Sequence, residues 1–251
     1  MDDAGWRRRN LKTLATFNRL VSESVETTRL IEREGLLAIV SPAVPERSLF
    51  NDVIYEEPES LVRHREELAA IYADQACAWT VWVPEEDRAS ATLLETAGHV
   101  LDAQPRAMGM DIDGLEPPDL SAVQWSVGNE AELMCTINDR AYGYESGTWR
   151  RGMGTDLGDS YVYLASDGDE ALSSVMTFDS GEDCGVFCVA TLPEARGRGL
   201  ASALLLQALV DARERGRRTT TLQATRAGAP VYERLGYRDF GALQMWEWRE
   251  P

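Results

Sequence analysis

Lysine is almost missing from this chain: Lys12 is the single one, and arginine carries the remaining positive charge. That scarcity excludes a Walker A phosphate loop, whose last glycine is followed by lysine. Histidine is nearly as rare, with only His64 and His99. Four cysteines (Cys77, Cys135, Cys184, Cys188) show no Cys-x-x-Cys spacing and no neighbouring histidine, so no metal site is expected. Cys184 and Cys188 fall on one face of a strand about 13 Å apart, too far for a disulfide. Free thiols in a reducing cytoplasm follow. No run approaches the roughly 18 apolar residues of a membrane span. The opening residues, with Arg7, Arg8 and Arg9, lack the apolar stretch of a secretory signal. A formal charge of −17 excludes nucleic acid or an anionic membrane as the main partner.

What is present is a glycine-rich segment, Arg196-Gly197-Arg198-Gly199-Leu200-Ala201, between an apolar strand at 186–191 and a helix at 200–215. Ala201, Leu204, Leu205, Ala208, Leu209 and Ala212 recur at helical spacing on one face. The glycines permit positive φ and close approach of a ligand to the backbone. Unpaired amides at a helix start sit where the dipole is positive, which suits a phosphate. A dinucleotide fingerprint needs a third glycine in an early βαβ unit, and here Ala201 stands in a late one. Six arginines against three acids between residues 194 and 218 predict a basic island around this loop.

Arg196, Gly199 and Ala201 fit the pattern Arg/Gln-x-x-Gly-x-Gly/Ala, and residues 228–237 read Gly-Ala-Pro-Val-Tyr-Glu-Arg-Leu-Gly-Tyr. Together these resemble the GNAT superfamily of acetyl-CoA-dependent N-acyltransferases, over residues 120–251. The resemblance implies an α/β (α+β) fold with a mixed, mostly antiparallel central sheet flanked by helices. It implies that amides of Arg196, Gly197, Arg198, Gly199, Leu200 and Ala201 receive the pyrophosphate of coenzyme A. It further implies that Val189, Ala190 and Thr191 pair with pantetheine, and that Tyr232 hydrogen-bonds the thioester sulfur and returns its proton. The family often has asparagine seven residues before this tyrosine; Thr225 stands there and puts that contact in doubt.

Organisation along the chain fits two units, 1–115 and 120–251, joined by the Pro- and Gly-bearing stretch 112–120. In the second, a strand (123–127) and a helix (130–142) precede a Gly- and aromatic-rich loop (143–158). Strands at 161–166, 171–178 and 185–191 follow as antiparallel neighbours, then the long helix, a strand at 219–224, a helix at Tyr232 and a last strand at 243–248. The first unit reads as helix 6–26, strands 36–40 and 51–55, helix 59–73, strand 76–83, helix 87–97 and strand 106–112. Its last three elements repeat the strand-helix-strand order of 219–248, which predicts a truncated, degenerate copy without a cofactor loop. An unrelated α/β cap is the other reading.

These signals point to direct transfer of an acetyl group from acetyl-CoA to a primary amine of a small molecule or peptide. The alternative is a catalytically silent acyl-CoA-binding sensor or scaffold. For a general base, Asp139, Glu145, Asp156 and Asp159 lie in or near the aromatic loop. Glu145, between Tyr144 and Trp149, is the first choice, and a water chain is equally compatible. Monomer and homodimer both remain open.

Overall fold

The computed structural model describes residues 1–76 and 78–249, so the expected free thiol at Cys77 lies outside the described residues. The chain begins with α1 (Asp3–Ser24), β1 (Arg29–Arg33), β2 (Leu36–Val40) and β3 (Asp52–Tyr55). α2 (Pro58–Gln75), β4 (Ala78–Pro84), α3 (Arg88–Thr96), β5 (Val100–Ala103) and β6 (Arg106–Asp111) complete the first half. The second half runs β7 (Gln124–Gly128), α4 (Ala131–Tyr142), α5 (Thr148–Met153), β8 (Ser160–Asp167), β9 (Glu170–Ser180) and β10 (Asp183–Thr191). It ends with α6 (Leu200–Glu214), β11 (Thr219–Ala224), α7 (Ala229–Arg234) and β12 (Arg238–Arg249).

The strands form one mixed sheet in the order β1-β2-β3-β4-β12-β6-β11-β10-β9-β8-β7, with β5 also on β12. Pairing is antiparallel except at β3–β4 and β10–β11. These two parallel steps reveal the repeat. Antiparallel β1-β2-β3, helix α2 and parallel β4 match antiparallel β8-β9-β10, helix α6 and parallel β11. Asp52 lies opposite Thr80 in the first half, as Asp183 lies opposite Thr219 in the second. The first half thus repeats the topology of the second in shortened form.

The two copies exchange strands. β6 runs antiparallel to β11, and β12 runs antiparallel to β4 from Leu243–Pro84 to Arg249–Ala78. Each copy's sheet is therefore completed by the last strand of the other. β12 is long because it serves both: its start pairs with β6 and its end with β4.

α1 seals this junction with a face that apolar periodicity does not show. Besides Trp6, Leu14 and Val21 it buries Asn10, Thr13 and Asn18. Asn10 donates to the carbonyls of Leu222 (2.8 Å) and Met108 (3.3 Å), Thr13 to Asp183 (2.8 Å) and Asn18 to Asp52 (2.6 Å). Trp6 lies over Gly109, where any Cβ would meet its ring at 2.8 Å.

Three readings of the sequence need correction. The loop expected over 143–158 contains α5, because Asp139 caps it from a distance that no local pattern reveals. β1 and β5 were not expected; both are short and partly exposed, with weak apolar alternation. The strand expected from 243 begins at Arg238, through the register shift between Asp239 and Ala242.

Candidate active site

β10 and β11 are paired only from Asp183–Thr219 to Gly185–Thr221 and then part. Beyond that point Leu222, Gln223 and Ala224 pair with β6 on their other side, which leaves a wedge facing β10. At the mouth of the wedge β10 bulges: its register with β9 shifts between Phe187 and Ala190, and Cys188 takes φ +52°. A bulge redirects backbone groups and is costly for a non-glycine residue, so it needs support. That support comes from side chains. Ser174 donates to the Cys188 carbonyl (3.1 Å), with buried Asn138 at 3.4 Å. The Tyr142 hydroxyl donates to the Val189 carbonyl (3.0 Å), and Ser173 to that of Ala190 (3.0 Å). Asn138, Ser173 and Ser174 did not stand out in the sequence, because each signals only through a partner distant along the chain.

After β10 the chain turns through a short 3₁₀ segment into the glycine loop. Gly197 and Gly199 have φ +77° and +76°, and Cβ atoms there would meet nothing within 4 Å. Backbone conformation, not crowding, therefore calls for glycine at both. Gly199 is the N-cap of α6 and offers no side chain, so the first-turn amides stay open to a ligand. Arg196 does not point away as a free phosphate ligand. Its guanidinium donates to the carbonyls of Thr191 (3.2 Å) and Ala141 (2.9 Å), tying the loop to β10 and α4.

Wedge and loop open into one cavity of about 1190 Å³, shared by both halves. Val189, Ala190, Thr191, Arg196, Gly197, Gly199, Leu200 and Ala201 all line it; Arg198 is exposed in the loop and does not. Tyr232 of α7 also lines it, and burial pushes its phenol pKa up, with Tyr142 adding to the shift. Thr225 lines it too, although its hydroxyl already accepts from the Gly228 amide (3.1 Å).

The expected basic island is not one cluster. Arg213, Arg215, Arg217 and Arg218 sit at or beyond the far end of α6, about 20 Å from the loop at 1.5 Å per residue. Arg215 forks onto Asp179 (3.0 and 3.1 Å), and Arg213 donates to the Leu115 carbonyl. Arg226 and Arg234, outside the counted window, join Arg196 on the cavity wall instead.

The candidate bases separate clearly. Asp139 is buried and accepts from the amides of Gly147 (2.7 Å) and Trp149 (3.0 Å), so it caps α5. Glu145, Asp156 and Asp159 are exposed, and none lines the cavity, while their aromatic neighbours Tyr142, Tyr144 and Trp149 do. Neither histidine reaches it: burial against Trp79 holds His99 down to about 4. Cys188 lines the cavity, but burial pushes its thiol well above the ordinary value, leaving it a poor nucleophile. Cys135 and Cys184 are buried and free. Two carboxylates that sequence reasoning did not single out do line the cavity: Asp52 of β3 and Asp102 of β5.

Comparison with known proteins agrees with this geometry. Residues 158–239 match the acetyltransferase (GNAT) domain family. The fold is similar to a GCN5-related N-acetyltransferase from Kribbella flavida, with TM-score 0.70, 16% identity and 96% of each chain covered. It is also similar to one from Sphaerobacter thermophilus, with TM-score 0.60, 18% identity, and 86% of this chain and 80% of that one covered. A tandem GNAT protein from the clavulanic acid biosynthesis pathway aligns over 97% of this chain and 96% of its own, with TM-score 0.57 and 13% identity. At such identities the likeness is one of fold. Among curated proteins, no sequence matches. Residues 158–239 thus resemble a GNAT acetyltransferase domain, and over 97% of the chain the fold is similar to that of a tandem GNAT protein. No helix among the described residues is long and apolar enough to cross a membrane, and no group of His, Cys, Asp or Glu there is arranged to hold a metal.

Proposed function

We propose that this protein is an N-acyltransferase that moves an acetyl group directly from acetyl-CoA to the primary amine of a small molecule or peptide. The observation that carries the reading is the convergence of three features on one cavity: the open amides of the glycine loop, the bulge of β10, and Tyr232. Coenzyme A is a polyanion with a long, hydrogen-bonding pantetheine arm. The uncapped start of α6 suits its pyrophosphate, with Arg226 and Arg234 as nearby counter-charges, and the wedge beside Val189, Ala190 and Thr191 suits the arm. The thioester supplies the activated acyl group.

The chain's own residues account for orientation and proton handling. The fixed bulge holds backbone groups beside the reacting carbonyl, where a pre-aimed dipole stabilises developing charge. Tyr232 Oη keeps its proton at physiological pH, so it is available as a donor to the departing sulfur. An unperturbed thiol titrates near 8.5. Burial raises thiols in this protein, as at Cys135, pushed up to about 12. The same desolvation would bring a leaving thiolate closer to the phenol. The raised Cys188 thiol supports direct transfer over an acyl-cysteine relay. With Glu145 turned to solvent, a water chain is the better proton outlet. The first half belongs to the reading as acceptor wall, not second cofactor site: between β3 and α2 its loop is only Glu56 and Glu57, short and acidic. A cytoplasmic setting is part of the same proposal.

Saturating coenzyme A should raise the melting temperature, and Gly199→Glu should abolish the rise. Acetyl-CoA should release free thiol only when a suitable amine is added.

A further inference from the structure

Asp52 is 1% exposed, lines the shared cavity, and has no arginine, lysine or histidine partner among the described residues. Its two oxygens are each held by one neutral donor: Asn18 Nδ2 on Oδ1 (2.6 Å) and Trp82 Nε1 on Oδ2 (3.1 Å). A carboxylate oxygen accepts two hydrogen bonds, so each retains one free acceptor site. A buried carboxylate with no counter-charge is unfavourable, and such groups concentrate at binding and catalytic sites. The surrounding cavity wall is apolar and largely aromatic: Leu14, Phe17, Trp82, Phe187 and Met245. Phe17 stacks on Phe187 at 4.0 Å, bringing α1 of the first half against the strand that carries the bulge.

We propose that Asp52, supplied by the first half, is the residue that receives the acceptor's ammonium group, and that the acceptor is a primary amine on an aryl or alkyl body. This rests on the acyl-transfer reading above and gives the degenerate half its role. Ligand cation and buried anion neutralise each other while the body fills the apolar walls. Asn18 and Trp82 act as positioning residues, since they orient the carboxylate without reaching the substrate. Burial pushes the Asp52 carboxyl up to about 7, against the opposing effect of its two hydrogen bonds. Around it, Tyr72 of α2 donates to the Asp52 backbone carbonyl (3.0 Å) and Asp102 of β5 lies on the same cavity wall. The cavity's arginines, Arg196, Arg226 and Arg234, belong to the glycine loop and the α7 segment. The Asp102 carboxyl is also raised, by burial and by Glu247, but Arg249 pairs with it at 3.4 Å. Asp52 is the unpaired carboxyl on this wall, and its attraction for a cation grows as pH rises through about 7.

The test uses the full chain and isothermal titration with primary alkyl and arylalkyl amines, each paired with its isosteric alcohol, with and without coenzyme A. At pH 8 the best amine should bind at least about tenfold tighter than its alcohol, the scale of a charge-assisted hydrogen bond. Asp52→Asn should remove that preference while leaving the alcohol's affinity and the coenzyme A melting shift unchanged; the shift also certifies that the variant folds. In the unaltered protein the amine's affinity should fall about tenfold per unit below pH 7, a readout that needs no variant. Equal binding of amine and alcohol, an amine preference that survives Asp52→Asn, or a flat pH profile would overturn the proposal. Thiol release with coenzyme A binding intact would leave the acyl-transfer reading standing in any of those cases. Absence of a coenzyme A shift in the unaltered protein would sink that reading separately.

Discussion

The Arg196 guanidinium donates to the carbonyl of Ala141 at 2.9 Å, fastening the glycine loop to the last turn of α4. With its second bond to Thr191, this makes Arg196 a brace for the backbone cradle. Arg196→Ala should therefore weaken coenzyme A by about 5- to 30-fold through loss of order in the loop. Arg196→Lys should recover little, since lysine lacks the planar fork that spans two carbonyls. Titration calorimetry distinguishes this from a pure charge effect, which lysine would restore.

Gly199 presents the converse case, since a Cβ there would touch nothing while φ is +76°. Gly199→Ala should destabilise the free protein by about 1–2 kcal/mol from backbone strain alone. Chemical denaturation measures that quantity, and a cost near zero would mean the loop relaxes readily to another conformation.

Tyr232→Phe should lower kcat by about 100-fold or more and change coenzyme A affinity little, the range of a lost general acid. Because burial raises the phenol, no loss of activity from its ionisation is expected up to about pH 10. The pH–rate profile of the unaltered protein checks this.

Asp139→Ala should cost about 1–2 kcal/mol of stability, because two amides at the start of α5 lose their cap. Turnover per folded molecule should change only through the packing of Trp149. A full loss of activity with normal stability would instead return Asp139 to the list of bases.

Asp52 makes a pH-dependent contribution to folding whose sign is fixed. Its folded pKa, about 7, exceeds the unfolded carboxylate value. Between about pH 4 and 7 the native state then holds a proton that the unfolded state has lost, so stability falls as pH rises. Relative to the unaltered protein, Asp52→Asn should gain on the order of 1 kcal/mol per pH unit over that window and level off above it. Urea titrations of both proteins at a series of pH values give this difference directly.

Much of the second half was legible because its signals are local. The face of α6, the strand 219–224 and the segment around Tyr232 each follow from spacing within a dozen residues. The repeated strand-helix-strand order also exposed the tandem design. Strand exchange was invisible, since nothing in residues 106–111 says that their partner is Thr219–Ala224 and not a strand of their own half. The site divides in the same way. The cradle is a backbone feature written in glycines, whereas Asn138, Ser174 and Asp52 acquire meaning only from partners 14 to 50 residues away. Arginine count misled for the same reason, because a helix of 15 residues separates the ends of the counted window.

The exchange itself has a consequence for folding. Expressed alone, residues 120–251 lack β6 and α1, which leaves one edge of β11 unpaired and Asp183 without Thr13. That fragment should be unfolded or aggregated by circular dichroism and gel filtration, and co-expression with residues 1–119 should rescue it. A fragment that folds and melts cooperatively by itself would show that the shared strands are dispensable.

The central claim is acyl transfer from acetyl-CoA to an amine within the shared cavity, and free-thiol release across a panel of primary amines tests it most directly. The account predicts thiol release that depends on the amine, is sharply reduced in Tyr232→Phe, and is lost in Gly199→Glu. Tight coenzyme A binding with no release for any amine would contradict it and leave a binding module in its place.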